Sequence, residues 1–215
     1  CFSCMTNGTQ KLMENKTMYK RDNKKIAKFA LRNPINLMKT GTFVFTTIQS
    51  GLSTCDNQMQ DISITGAKSK YLWGNKRAGY LYWYEHREVI YAAIKSAVKH
   101  NDPVGAIDVL TNVPNLGIVK AAFVAQLVGL DVACLDMHNL DRLGMSRSAL
   151  KFDKGVKRET KLKKIQNYVA LTQSTGGSEY WWNIWCNFVA GNRANKSLTT
   201  GDAVSAYHAT CIIGV

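Results

Sequence analysis

Apolar residues recur at helical spacing through most of this chain. From about Trp83 to His100, Ile90, Ala93, Ile94, Ala97 and Val98 share one face, while Arg87, Tyr91, Lys95 and Lys99 share another at i, i+4 intervals. That pattern predicts an amphipathic helix carrying a basic stripe. Between Gly117 and about Leu127 the pattern changes. Ile118, Val119, Ala121, Ala122, Phe123, Val124, Ala125 and Leu127 make the segment apolar nearly all round, so it is expected to be the central, buried helix. A further helix is expected from Lys157 to Thr172. After the break at Gly176, Gly177 and Ser178, helical spacing resumes through Trp181, Ile184, Trp185, Phe188 and Val189. An aromatic stripe of this kind reads as core before it reads as a base-stacking platform. Asp202 is expected to cap a last short helix through Ser205 to Thr210.

Local stop and start signals divide the chain further. A helix from about Asn23 to Arg32 is expected to end before Pro34, because the residue preceding a proline avoids helical geometry. GTFVFTTIQS, from Gly41 to Ser50, has the Thr/Phe/Val content of a strand, and the Gly/Ser/Asn-rich stretch after it reads as loop. Asp102 and Pro103 look like an N-cap and first helical position, giving a short helix to about Thr111. The sum is a mainly α fold: a basic arm over residues 1–25, then a single helical domain over residues 26–215. No internal repeat interrupts it.

Charge narrows the partner class. The chain carries 28 Lys+Arg against 15 Asp+Glu, a formal net charge of +13. Such an excess favours a polyanion, nucleic acid before membrane. Lys11, Lys16, Lys20, Arg21, Lys24 and Lys25 lie in the arm, and Lys151, Lys154, Lys157, Arg158, Lys161, Lys163 and Lys164 form a second basic segment. No apolar run is long enough to span a bilayer, and no secretory signal is visible, although the sequence opens on Cys1 rather than Met. The six cysteines are scattered, several in apolar stretches, as suits free thiols in an intracellular, reducing setting. Cys1 and Cys4 form a lone C-x-x-C with no second ligand pair, so no metal site is expected.

The segment Val113 to Gly144 carries the candidate chemistry. It reads as a tight turn between two helices, Val113-Pro114-Asn115-Leu116-Gly117, giving a helix-hairpin-helix over residues 103–129. Such a hairpin turns successive backbone N–H groups at the start of its second helix toward one phosphate. The contact positions a duplex and reads no base. Glycine is expected where the turn needs positive φ and lies close to the sugar-phosphate chain, and Asn115 is the next-best residue for left-handed geometry. Beyond the apolar helix stands Leu135-Asp136-Met137-His138, with Asp136 placed to cap a helix that opens at Met137.

These features resemble the helix-hairpin-helix plus aspartate signature of the endonuclease III-like DNA glycosylase superfamily. The family hairpin, roughly L-P-G-hydrophobic-G with an Ala four residues on, aligns with Val113, Pro114, Asn115, Leu116, Gly117 and Ala121. Its V-D-x-H segment aligns with Leu135 to His138. The resemblance implies a glycosylase-like helical fold that binds double-stranded DNA. It implies that Asp136 is the carboxylate opposing positive charge on the sugar of a flipped-out nucleotide, with His138 and Lys120 as further catalytic candidates. The hairpin residues, Lys120, and the helix-face lysines Lys95 and Lys99 are the DNA-binding candidates. Where bifunctional members carry a Schiff-base lysine this chain has Val119; Lys120, one step along, points about 100° away round the helix. The four-cysteine motif that ends many members is absent, so neither an iron–sulfur cluster nor another cofactor is expected. The implied reaction is N-glycosidic hydrolysis or modification of the base, in a chain of phage or mobile-element origin acting in a host cytoplasm or virion. The alternative is a non-enzymatic, virion-associated protein that keeps the hairpin for phosphate contacts alone.

Overall fold

A computed structural model of the chain describes residues 23–146, 148–153, 155–185 and 201–214. The described residues form helices joined by turns and loops, with no strand among them. In chain order these are α1 (residues 23–30), α2 (Pro34–Thr46), α3 (Cys55–Thr65), α4 (Asn75–Lys99), α5 (Pro103–Leu110), α6 (Ile118–Leu127), α7 (Met137–Arg142), α8 (Arg158–Ser174), α9 (Gly177–Trp185) and α10 (Gly201–Ile213). The expected mainly α class is therefore the observed one. Of the arm, residues 1–22 lie outside the described residues, and Asn23 to Lys25 already belong to α1.

The largest departure from expectation is α2. Of the segment read as strand-like, residues 47–50 form a turn, and Gly41 to Thr46 form the second half of a helix. Asn33 caps it through Oδ1, which accepts the Asn36 amide at 2.8 Å, and Pro34 takes the first helical position. The threonines that suggested a strand satisfy their hydroxyls inside the helix: Thr40 donates to the Asn36 carbonyl, Thr42 to Met38 and Thr46 to Phe43. Residues Thr40 to Thr46 are all buried, so β propensity is overridden by packing on every side. Gly41 makes this possible. A Cβ there would lie 2.3 Å from the ring of Trp83, so only glycine lets α2 and α4 come together at that point. The stretch after it, read as loop, folds into α3.

α4 is longer than its pattern indicated and is interrupted at His86, whose φ of −104° and ψ of 15° break the helical run. Its second half shows the expected division, with Ile90, Ile94 and Ala97 buried and Lys95 and Lys99 exposed. α6 is the centre of the fold, as its all-round apolar character requires. Ala121 through Leu127 are buried without a gap, and α6 packs on α2 and α5 in one continuous core that also includes Cys211 and Ile212 of α10. α5 packs on α4, α6 and α8, and α9 packs on α7 and α8. In α9, Trp181 and Trp182 are buried, in keeping with the core reading of the stripe; Phe188 and Val189 lie outside the described residues. α10 begins at Gly201, which puts Asp202 inside the first turn rather than at the expected cap position. Cys55 and Cys211 are buried free thiols and Cys134 is a partly buried one, while Cys1, Cys4 and Cys186 lie outside the described residues. Among the described residues no helix is long and apolar enough to cross a membrane.

Candidate nucleic-acid interface and carboxylate site

α5 and α6 are joined by a short turn over residues 111–117. Asp102 caps α5, its Oδ1 accepting the Gly105 amide at 2.8 Å. The chain leaves α5 through two backbone hydrogen bonds, Asn112 N–H to the Val109 carbonyl and Val113 N–H to Leu110, and closes the turn with Leu116 N–H to Val113. Val113 and Leu116 are buried and anchor the turn; Asn115 and Gly117 face outward. The positive φ falls on Asn115, at 71°. Gly117, at φ −75° and ψ 177°, occupies extended backbone open to any residue, which corrects the expectation that glycine is there for its conformation. What Gly117 supplies is room, since nothing lies within 4 Å of where its Cβ would be. It also supplies no capping side chain, so the first amides of α6 keep their donors unclaimed by a cap. The turn is braced from behind at Gly79 of α4, where a Cβ would lie 2.3 Å from the Pro114 carbonyl oxygen.

Cations stand beside this hairpin, and they come from α8. Lys161 donates to Oδ1 of Asn112 at 3.0 Å and pairs with Asp108 at 3.3 Å. Arg158 reaches the same Asp108 at 3.4 Å with a side chain 83 % exposed. Lys95 and Lys99, by contrast, sit at the end of α4 that leads into α5, one helix length from the turn. Lys95 lies over the ring of Tyr91. Lys120 is not on the outer face of the hairpin. Its Nζ donates to Thr47 Oγ1 of α2 at 3.0 Å and lies over the ring of Phe123.

Asp136 ends a loop that is pinned at several points. Tyr168 of α8 donates its hydroxyl to the Ala133 carbonyl at 2.6 Å and accepts the Leu135 amide at 2.9 Å. Gln126 of α6 accepts the Cys134 amide, and Asn139 donates to the Cys134 carbonyl. The carboxylate itself is half-buried. Oδ1 accepts the amides of His138 and Asn139, both at 3.1 Å, and so caps α7 as expected. Oδ2 accepts the indole Nε1–H of Trp185 at 2.7 Å. The two oxygens thus accept three donors, and no ion pair joins this carboxylate among the described residues. The His138 side chain is half-exposed at the start of α7.

The interior next to Asp136 is unusual in what it buries. The Cys134 thiol is pushed up to about 12 by burial, with Lys120 acting against the shift and Asp136 with it. Cys134 therefore lies within electrostatic reach of both candidate residues. His208 of α10, missed in the sequence, is 2 % exposed, and neither ring nitrogen has a hydrogen-bond partner. It stands edge-on to Phe43, Phe123 and Trp182. Burial, reinforced by Lys120, holds it down at about 3, so it is neutral at pH 7. An open cavity of about 380 Å³ lies at the other end of α7, lined by Arg142, Leu143, Thr175, Tyr180, Trp181 and Ile184. Comparisons of the chain with family models, with curated proteins and with solved structures found no match.

Proposed function

We propose that this chain binds double-stranded DNA through the α5–α6 hairpin and acts on a flipped-out nucleotide through Asp136, in the manner of a glycosylase-like enzyme. The observation that carries the binding half is the turn itself. Asn115 takes the left-handed position, Gly117 leaves open space in front of the first α6 amides, and Arg158 and Lys161 flank the turn. A phosphate brought to the turn meets backbone donors, the positive end of α6 and adjacent cations together. The +13 charge supplies the longer-range attraction.

The catalytic half rests on Asp136. A carboxylate held in place by α7 amides and an indole N–H, with no salt bridge among the described residues, is oriented to oppose a developing sugar cation. N-glycosidic hydrolysis and base modification both draw on that role. One observation favours the non-enzymatic reading, in which the hairpin only holds DNA: both oxygens of Asp136 already have partners within the fold, so the residue also serves as a plain helix cap. Fluorescence anisotropy with a labelled duplex over a salt series tests binding. A panel of duplexes carrying damaged and modified bases, assayed for base release or mass change, tests catalysis. Salt-independent binding, or none at low salt, removes the first half of the proposal; activity on none of the panel removes the second.

A further inference from the structure

Residues 62–84 carry the cations Lys68, Lys70, Lys76 and Arg77 and no Asp or Glu. The same stretch exposes aromatic rings. The connection from α3 to α4 is held by the buried Leu72 and by Ser69, whose hydroxyl donates to Asp61 Oδ2 at 2.5 Å and accepts the Tyr71 amide at 3.1 Å. Trp73 is left outside, 53 % exposed. Lys76, itself 2 % exposed, backs the Trp73 ring with its ammonium 5.0 Å from the centre. Along α4, Arg77, Leu81 and Tyr84 follow at i, i+4 and i+7, so they share one face, and all three are exposed. The Tyr84 ring is 51 % exposed, with the Arg87 guanidinium 4.8 Å from its centre. Arg87 is fixed there by a 2.7 Å bond to the Tyr84 carbonyl. Lys70 lies over Tyr71 in the same way, at 5.1 Å. Glu85 and Glu88 stand past Tyr84, where the kink at His86 ends the row, and Arg87 pairs with Glu88 at 3.8 Å.

Half-exposed rings, each held by a cation, alternate here with side chains that attract phosphate. We propose that the row from Trp73 to Tyr84 binds unpaired nucleotides of single-stranded DNA. Bases stack on Trp73 and Tyr84, and phosphates meet Lys68, Lys70 and Arg77 beside and between the rings. Arg77 to Tyr84 covers about 10 Å of α4, roughly three nucleotides of one strand. Every base has a flat face, so the surface reads no sequence. A membrane-surface helix would keep its lysines and arginines apart from its apolar side, whereas Arg77 shares a face with Leu81 and Tyr84. The choice of DNA over RNA rests on the duplex binding proposed for the hairpin, against which α4 packs where Gly79 meets the Pro114 carbonyl. The stacking row itself does not depend on that reading.

Fluorescence anisotropy measures binding of the full chain to labelled oligothymidine, to its oligouridine counterpart and to a blunt duplex. Flotation tests vesicles of phosphatidylcholine and phosphatidylserine. The wild type should bind oligothymidine at least as tightly as oligouridine, with its Trp fluorescence quenched at saturation. Trp73→Ala and Tyr84→Ala should each weaken that binding by about tenfold or more. Both should melt close to the wild-type temperature and leave duplex affinity unchanged; either serves if the other fails to fold. Gly117→Val should keep the oligothymidine affinity while losing the duplex, so failure of the hairpin reading and failure of the row are told apart. A wild type that does not bind oligothymidine, that prefers oligouridine, or that binds only the vesicles would overturn the proposal. So would alanine variants that bind oligothymidine as the wild type does, or loss of that binding in Gly117→Val.

Discussion

Trp185 Nε1 donates to Asp136 Oδ2 at 2.7 Å, while the other oxygen of the same carboxylate caps α7. The bond ties the last residue of α9 to the residue that opens α7, and it needs both oxygens as acceptors. Asp136→Asn can therefore satisfy only one side. Its single oxygen either caps α7 or accepts the indole, and the amide NH₂ then faces a donor. The variant is expected to be less stable by about 1–3 kcal/mol in urea unfolding. Trp185→Phe removes the indole donor and leaves the cap intact, and should cost about 1 kcal/mol. On the proposed function the two part company in activity. Asp136→Asn should lose base release or modification by hundreds-fold or more, with DNA affinity equal or higher. Trp185→Phe should retain part of the activity. Equal, small effects of both variants on rate would leave Asp136 as a cap only.

Gly117→Val separates binding from folding. Valine adopts the extended backbone at this position without strain, and its side chain meets nothing in the protein. The stability change should stay within about 1 kcal/mol, the cost of a poorer N-cap. DNA affinity should fall tenfold or more, because the isopropyl group stands where a phosphate would approach the α6 amides. Unchanged anisotropy titrations with a folded variant would remove the hairpin from the interface.

The elements that sequence made legible are those specified locally. Asp102 and Pro103 announce α5, and Asp136 announces α7, because capping chemistry lies within a few residues of each start. α6 was legible because apolar residues fill its core-facing positions almost throughout, Gln126 being the one buried polar side chain among them. α2 was not. Its Phe/Val/Thr run has β propensity, and the signals that decide the matter are the Asn33–Pro34 start and the hydroxyl back-bonds that only a formed helix provides. The site divides the same way. The Asp136 cap and the turn were visible. The Trp185 bond and the Lys120–Thr47 bond join residues 49 and 73 positions apart and have no local signal. The burial of Lys76 and His208 likewise arises from packing alone.

Arg158 should carry a measurable share of DNA affinity. Its guanidinium is largely exposed, and a surface ion pair such as the one with Asp108 is worth little, so the side chain is available to a phosphate beside the turn. Arg158→Ala is expected to leave thermal stability within about 0.5 kcal/mol. It should weaken duplex binding at low salt and reduce the slope of log K against log salt by about 1. A slope identical to the wild type places α8 outside the contact surface.

His208 should make the fold acid-sensitive in a way that a single substitution removes. Its folded value of about 3 lies below the ordinary 6.5, so the native state holds it neutral while the unfolded chain binds a proton below pH 6.5. The unfolded state then binds more protons than the folded one throughout the window from 6.5 down to 3. Stability is therefore full above pH 6.5 and declines as pH falls, by about 2 kcal/mol from this residue between pH 7 and pH 5. His208→Phe replaces the ring with one that suits the same edge-on contacts to Phe43, Phe123 and Trp182 and cannot be protonated. Neither ring nitrogen has a partner to lose, so the variant should match or exceed wild-type stability at pH 7. Urea unfolding of both proteins at pH 7 and pH 5 gives the answer. The wild type should lose about 2 kcal/mol more than His208→Phe over that interval. Equal losses would mean that His208 accepts its proton inside the fold at ordinary pH, and the neutral, partnerless ring in the aromatic cage would be wrong.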